Sequence, residues 1–83
     1  MQAYQVRLIK EYEDLYIRYY KLKKFVQNAE LDKVKTPTEL LLEQLDVMER
    51  YLCILFERLK YEDVFTEVSW NSIKERLDDI IEE

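Results

Sequence analysis

Apolar residues recur at helical spacing along most of the chain. Leu8, Tyr12, Leu15, Tyr19, Leu22 and Val26 step by 4, 3, 4, 3 and 4, with Tyr4 one turn earlier, which predicts a helix from about residue 2 to 28. The stripe thins and polar residues cluster between Asn28 and Lys35. In Thr36-Pro37-Thr38-Glu39 a hydroxyl stands at the expected N-cap, proline at the first helical position and a carboxylate at the third. A second helix is therefore predicted over about 37–61. Along it Leu41, Leu45, Met48, Leu52, Leu55 and Leu59 form one apolar line, and Leu40, Val47 and Ile54 a second about one residue round. Ser69 can cap a third, short helix at about 70–82, with Trp70, Ile73, Leu77, Ile80 and Ile81 as its stripe.

The first connection, about eight residues long, favours antiparallel neighbours, with position i facing roughly 65 − i. Arg7 then comes level with Arg58, Tyr4 with Tyr61, and Lys21 with Gln44. Two guanidinium groups at one end of a hairpin repel unless Glu11, Glu57 and Glu62 or an external anion compensate them. Two apolar lines, with Leu42 and Phe56 as a third patch, cover more of helix 2 than one partner helix can bury. The hairpin must close with the third helix, self-associate, or both. The expected architecture is all-α: one helical domain over 1–83, an antiparallel hairpin plus a short C-terminal helix, assembled as a homo-oligomeric bundle. Asp78, Asp79, Glu82 and Glu83 lie at the unfavourable end of the third helix's dipole, which predicts fraying there or a basic partner.

Composition then narrows the chemistry. The chain has no glycine and no histidine, one proline and one cysteine. Without glycine a phosphate-cradling loop or a dinucleotide fingerprint cannot be built. Without histidine there is no ready proton shuttle, no Ser-His or Cys-His pair and no usual zinc set. Neither a metal nor a cofactor is expected, and no carboxylate pair is placed by motif, so the chain does not read as an enzyme. Cys53, within the apolar run 51–56, is expected to fill core. A lone cysteine, the lack of a signal-like N-terminus and the lack of a long apolar span predict a cytoplasmic protein that does not enter membranes.

Charge is unevenly spread: residues 1–28 carry six Lys/Arg against three Asp/Glu, and residues 39–83 five against thirteen. The acidic half argues against duplex DNA as a partner. On helix 1, Arg7, Glu11, Asp14, Arg18 and Lys21 form a mixed ladder at steps of 4, 3, 4 and 3, which is either a solvated salt-bridge rail or an anion site. Tyr12, Tyr16, Tyr19 and Tyr20 crowd beside Arg18, Lys21, Lys23 and Lys24. Such rings with cations suit an oligomer contact, base stacking or core packing.

The string Tyr4-Gln5-Val6-Arg7-Leu8-Ile9, then Leu15, Arg18, Lys21-Leu22 and Phe25, then Leu41-Leu42, Gln44-Leu45, Met48, Tyr51, Leu55 and Arg58-Leu59 resembles a family of small helical-hairpin proteins of phages and prophages. The resemblance spans about residues 4–59. In architecture the hairpin is similar to phage anti-CBASS and Thoeris anti-defence sponges, which bind cyclic nucleotide signals between protomers without cleaving them. The resemblance implies a host-cytoplasmic homo-oligomer that sequesters a small anionic nucleotide. Arg7 and Arg58 are the candidates for phosphate, Tyr4 and Tyr51 for ring faces, and Arg18 with Lys21 for a second anion position. Two readings stand beside it: an acidic inhibitor or adaptor that mimics nucleic acid for a basic protein, and a purely structural helical oligomer.

Overall fold

The computed structural model describes residues 1–28 and 33–81, with side chains through Asp78. The expectations for the side chains of Asp79, Ile80 and Ile81, and for Glu82, Glu83 and residues 29–32 of the interhelical break, lie outside what is described. Helix α1 is Ala3–Gln27, α2 is Thr38–Tyr61 and α3 is Trp70–Ile81, with one 3-10 turn, Phe65–Glu67, before α3. The all-α hairpin with a third helix is thus the observed fold.

Local chemistry sets each end. At the start of α1 the Gln2 backbone N–H donates to Gln5 Oε1 at 2.8 Å, and at its end the Asn28 N–H donates to the Lys24 carbonyl at 2.9 Å. Helix α2 begins one residue later than predicted. Pro37, with φ −57° and ψ 142°, is the flanking residue, and Thr36 does not cap. The extended ψ leaves Thr36 a residue too far back for its hydroxyl to reach the first free N–H groups. The Pro37 carbonyl instead accepts the N–H groups of Leu40 at 3.1 Å and Leu41 at 3.4 Å. Ser69 does cap α3, its Oγ accepting the Ser72 N–H at 3.3 Å.

The exit from α2 is a Schellman turn. Asp63 takes φ 56°, its N–H donates to the Lys60 carbonyl at 3.1 Å, and the Val64 N–H reaches back to Leu59 at 3.1 Å. Val64 and Leu59 are both buried, which supplies the apolar contact that accompanies this motif. The turn directs the chain back across α1, where α3 docks.

Helices α1 and α2 pair antiparallel. The Tyr4 hydroxyl donates to Glu62 Oε1 at 2.7 Å, the Tyr19 hydroxyl to Glu49 Oε2 at 3.4 Å, and the Tyr51 hydroxyl to Glu11 Oε1. These three contacts bracket the anticipated register. Leu8, Ile17, Leu55 and Leu59 are the most completely enclosed side chains. Ile9 and Ile17 are buried although neither lies on the predicted stripe of α1, because α1 packs against α3 as well as α2. Trp70 meets the rings of Tyr12 at 6.1 Å and Tyr16 at 5.5 Å edge-on, and Ile73 is buried beneath α3.

One expectation for α2 comes out differently. Cys53 is exposed, since it stands well round the helix from the buried Leu55 and Leu59 and the apolar run around it spans the full circumference. The third helix does close the bundle, yet it docks on α1 and leaves the second line of α2 bare. Leu40, Val47 and Ile54 are each more than half exposed, and Tyr61 is 90% exposed.

Candidate functional site

Helix spacing gathers a cationic groove on α1. Lys10 and Glu11 stand three and four residues after Arg7, Asp14 follows one turn later and Arg18 one turn after that, so all five share one side of the helix. Tyr51 of α2 closes that side across the hairpin. Together with the backing of Leu15, these residues line an open groove of about 340 Å³, at the small end of the range for ligand sites.

The groove's two acids are both engaged. Glu11 accepts the Tyr51 hydroxyl, and Asp14 pairs through Oδ1 with Arg76 Nη1 of α3 at 3.0 Å. Among the described residues, Arg7, Lys10 and Arg18 make no ion pair. The expectation that Glu11, Glu57 and Glu62 neutralise Arg7 and Arg58 therefore does not hold. Glu57 pairs with Lys60 at 3.2 Å, and Glu62 takes the Tyr4 hydroxyl and, at 3.3 Å, the Gln5 amide. Glu62 at the open end of the hairpin joins the helices, Glu57 pairs within α2, and Arg7, Lys10 and Arg18 are exposed.

Of the residues singled out in the sequence, Arg7, Arg18 and Tyr51 come together in this groove. Tyr4 does not line it; its hydroxyl donates a hydrogen bond to Glu62, which holds the proton on the phenol and pushes it above its ordinary value. Lys21 and Arg58 are exposed and lie outside the groove lining. Arg58 stands seven residues beyond Tyr51 on the same line of α2, beside the bare stripe. Lys10 belongs to the groove and was missed by the ladder, which steps over it. Its position one turn after Arg7 was the available signal.

The tyrosine cluster is a packed aromatic ladder. Tyr16 stacks on Tyr20 at 5.2 Å, and Tyr19 meets Tyr20 edge-on at 6.0 Å. The Lys23 ammonium lies 5.7 Å from the Tyr19 centroid and 5.9 Å from that of Tyr20. Burial pushes the phenols of Tyr12 and Tyr16 above their ordinary value. An apolar hollow of about 330 Å³ runs along the bare stripe of α2 beside Leu40, Val47 and Met48.

Among the described residues no helix is long and apolar enough to cross a membrane. What fold and groove define is a class: a small helical hairpin, buttressed by a third helix, with a cationic half-open cleft and an uncovered apolar helix face. Within that class the Sequestin family model matches residues 2–61, and the chain belongs to the Sequestin family. Comparison with curated proteins and with solved structures gave no match.

Proposed function

We propose that this protein is a non-enzymatic phage counter-defence sponge, which binds a small anionic nucleotide signal, such as a cyclic oligonucleotide, in the α1 groove and withholds it from its receptor. The observation that carries this reading is the groove itself. Three cations that make no ion pair among the described residues stand beside an aromatic face, while of the two acids in the lining Asp14 pairs with Arg76 and Glu11 accepts the Tyr51 hydroxyl. Arginine suits phosphate because it presents a planar fork of donors, and the Tyr51 ring offers a base a stacking surface. The family's name denotes sequestration, in keeping with holding a ligand unchanged.

The working unit in this proposal is an assembly of copies. The chain exposes 6348 Å², where a compact monomer of its mass exposes about 5,400 Å². The excess, roughly 950 Å², is of the order that one partner contributes to a standard interface. The surface to be covered is Leu40, Val47, Ile54 and Tyr61, spaced seven residues apart as in a coiled-coil seam. Glu43, Arg50 and Glu57 flank it with alternating sign at the same spacing, so an antiparallel second copy can set Arg50 against the partner's Glu57. Tyr51 lies between Val47 and Ile54 along α2, so this seam borders the groove, and Arg58 on its edge is available to the assembled site.

Calorimetric titration of the purified protein with a panel of cyclic di- and trinucleotides tests the reading. Binding is expected for at least one member, with the ligand recovered chemically intact after denaturation. Arg7→Ala and Arg18→Ala should each weaken binding roughly tenfold, as for loss of a charge-assisted contact, with helicity unchanged. No heat across the panel from an intact oligomer, or recovery of a cleaved ligand, overturns it.

A further inference from the structure

The geometry points to Arg76 as a positioning residue that keeps the anion groove electropositive by holding Asp14 away from the groove's own cations; this rests on the groove being an anion site, as proposed above. Asp14 has Lys10 four residues before it and Arg18 four residues after it on α1. Both are spaced to pair with it on a helix surface. The structure selects neither. The carboxylate turns instead to α3, where Arg76 Nη1 lies 3.0 Å from Oδ1.

Next to it, the Glu13 carboxylate accepts the Ser69 backbone N–H at 2.7 Å. The start and middle of α3 thus take up the two consecutive acids of α1, and Lys10 and Arg18 keep their charge for an outside anion. Without Arg76, Asp14 would swing to one of those cations and cancel it. The strut comes from a part of the chain beyond the residues that the Sequestin model matches. Docking of α3 does not depend on it, since Ile73 and Val68 are buried and Trp70 packs on two tyrosines.

The test is a double-mutant cycle on the full chain with inorganic pyrophosphate as the probe, which needs cations and no ring. Binding is followed through the arginine Nε–Hε NMR signals at fixed, moderate salt. Arg76→Gln should weaken pyrophosphate roughly three- to fivefold, the scale of one exposed charge pair. Arg76→Lys, which keeps the charge, should restore most of the loss. In an Asp14→Asn background Arg76→Gln should have no further effect, because there is no carboxylate left to release.

An equal loss in both backgrounds would mean that Arg76 acts by general charge or by holding α3 in place, and would overturn the inference, as would the absence of any pyrophosphate response. Coupling between the two sites in a protein that ignores every cyclic nucleotide would uphold the strut and refute the sponge. Nucleotide binding without coupling would do the reverse.

Discussion

Tyr51 and Glu11 join the two long helices at the rim of the cationic groove, the tyrosine hydroxyl donating to the glutamate carboxylate. One contact does two things: it orients an aromatic ring over the groove, and it occupies an acid that stands four residues after Arg7 and seven before Arg18. Tyr51→Phe keeps the ring and frees Glu11. The expected result is a stability loss of about 0.5–1 kcal/mol in urea unfolding, typical of a solvent-accessible hydrogen bond. Affinity for a bound anion should fall severalfold, and Glu11→Gln in the same chain should restore it.

The two apolar lines of α2 should separate under mutation. Leu55 and Leu59 are fully enclosed, so Leu59→Ala should cost about 3–4 kcal/mol through lost transfer energy and a residual cavity. That is a large part of a small domain's stability, and it should be visible as a lowered melting temperature by circular dichroism. Val47→Glu and Ile54→Glu, on the bare line, should leave helicity intact. Sedimentation equilibrium should show instead that the assembly proposed above gives way to single chains.

Asp63 holds a left-handed conformation at φ 56°, which costs a residue with a Cβ more than it costs glycine. Asp63→Gly should raise stability by about 0.5–1 kcal/mol. Asp63→Val should lower it by about 1–2 kcal/mol, since a β-branched residue resists this region most. Thermal melts of the two variants beside the parent chain check both signs.

Alkaline titration should unfold the protein through its tyrosines. Burial raises the Tyr12 and Tyr16 phenols above their ordinary value of 10.0. In the unfolded chain they ionise near that value, so the stabilisation is full below about pH 10 and declines as pH rises through the folded-state values. Absorbance at the phenolate band should show these two tyrosines ionising late and together with loss of helix. Tyr12→Phe should move the alkaline transition to higher pH.

The helices themselves are legible in the chain because their signals are local. Apolar spacing of three and four residues, Ser69 before α3 and the polar break after Asn28 each act within a turn or two. The antiparallel register followed from connection length alone. Boundaries shifted by a residue where backbone torsion decided them, as at Pro37, whose extended ψ moved the start of α2.

What the residues shared across elements could be known only from the fold. That Ile9 and Ile17 are core and that α3 covers α1 instead of the second line of α2 both depend on where the Schellman turn at Asp63 sends the chain, and Cys53 faces water because neither helix packs on its side of α2. The groove shows the same division. The mixed ladder of Arg7, Glu11, Asp14 and Arg18 is written in the sequence, but along one helix every acid is near enough to neutralise a cation. Only the tertiary structure, by bringing Tyr51 to Glu11 and Arg76 to Asp14, determined that the acids are taken and the cations left open, because a charge's partner is set by distance through space and not by spacing along the chain.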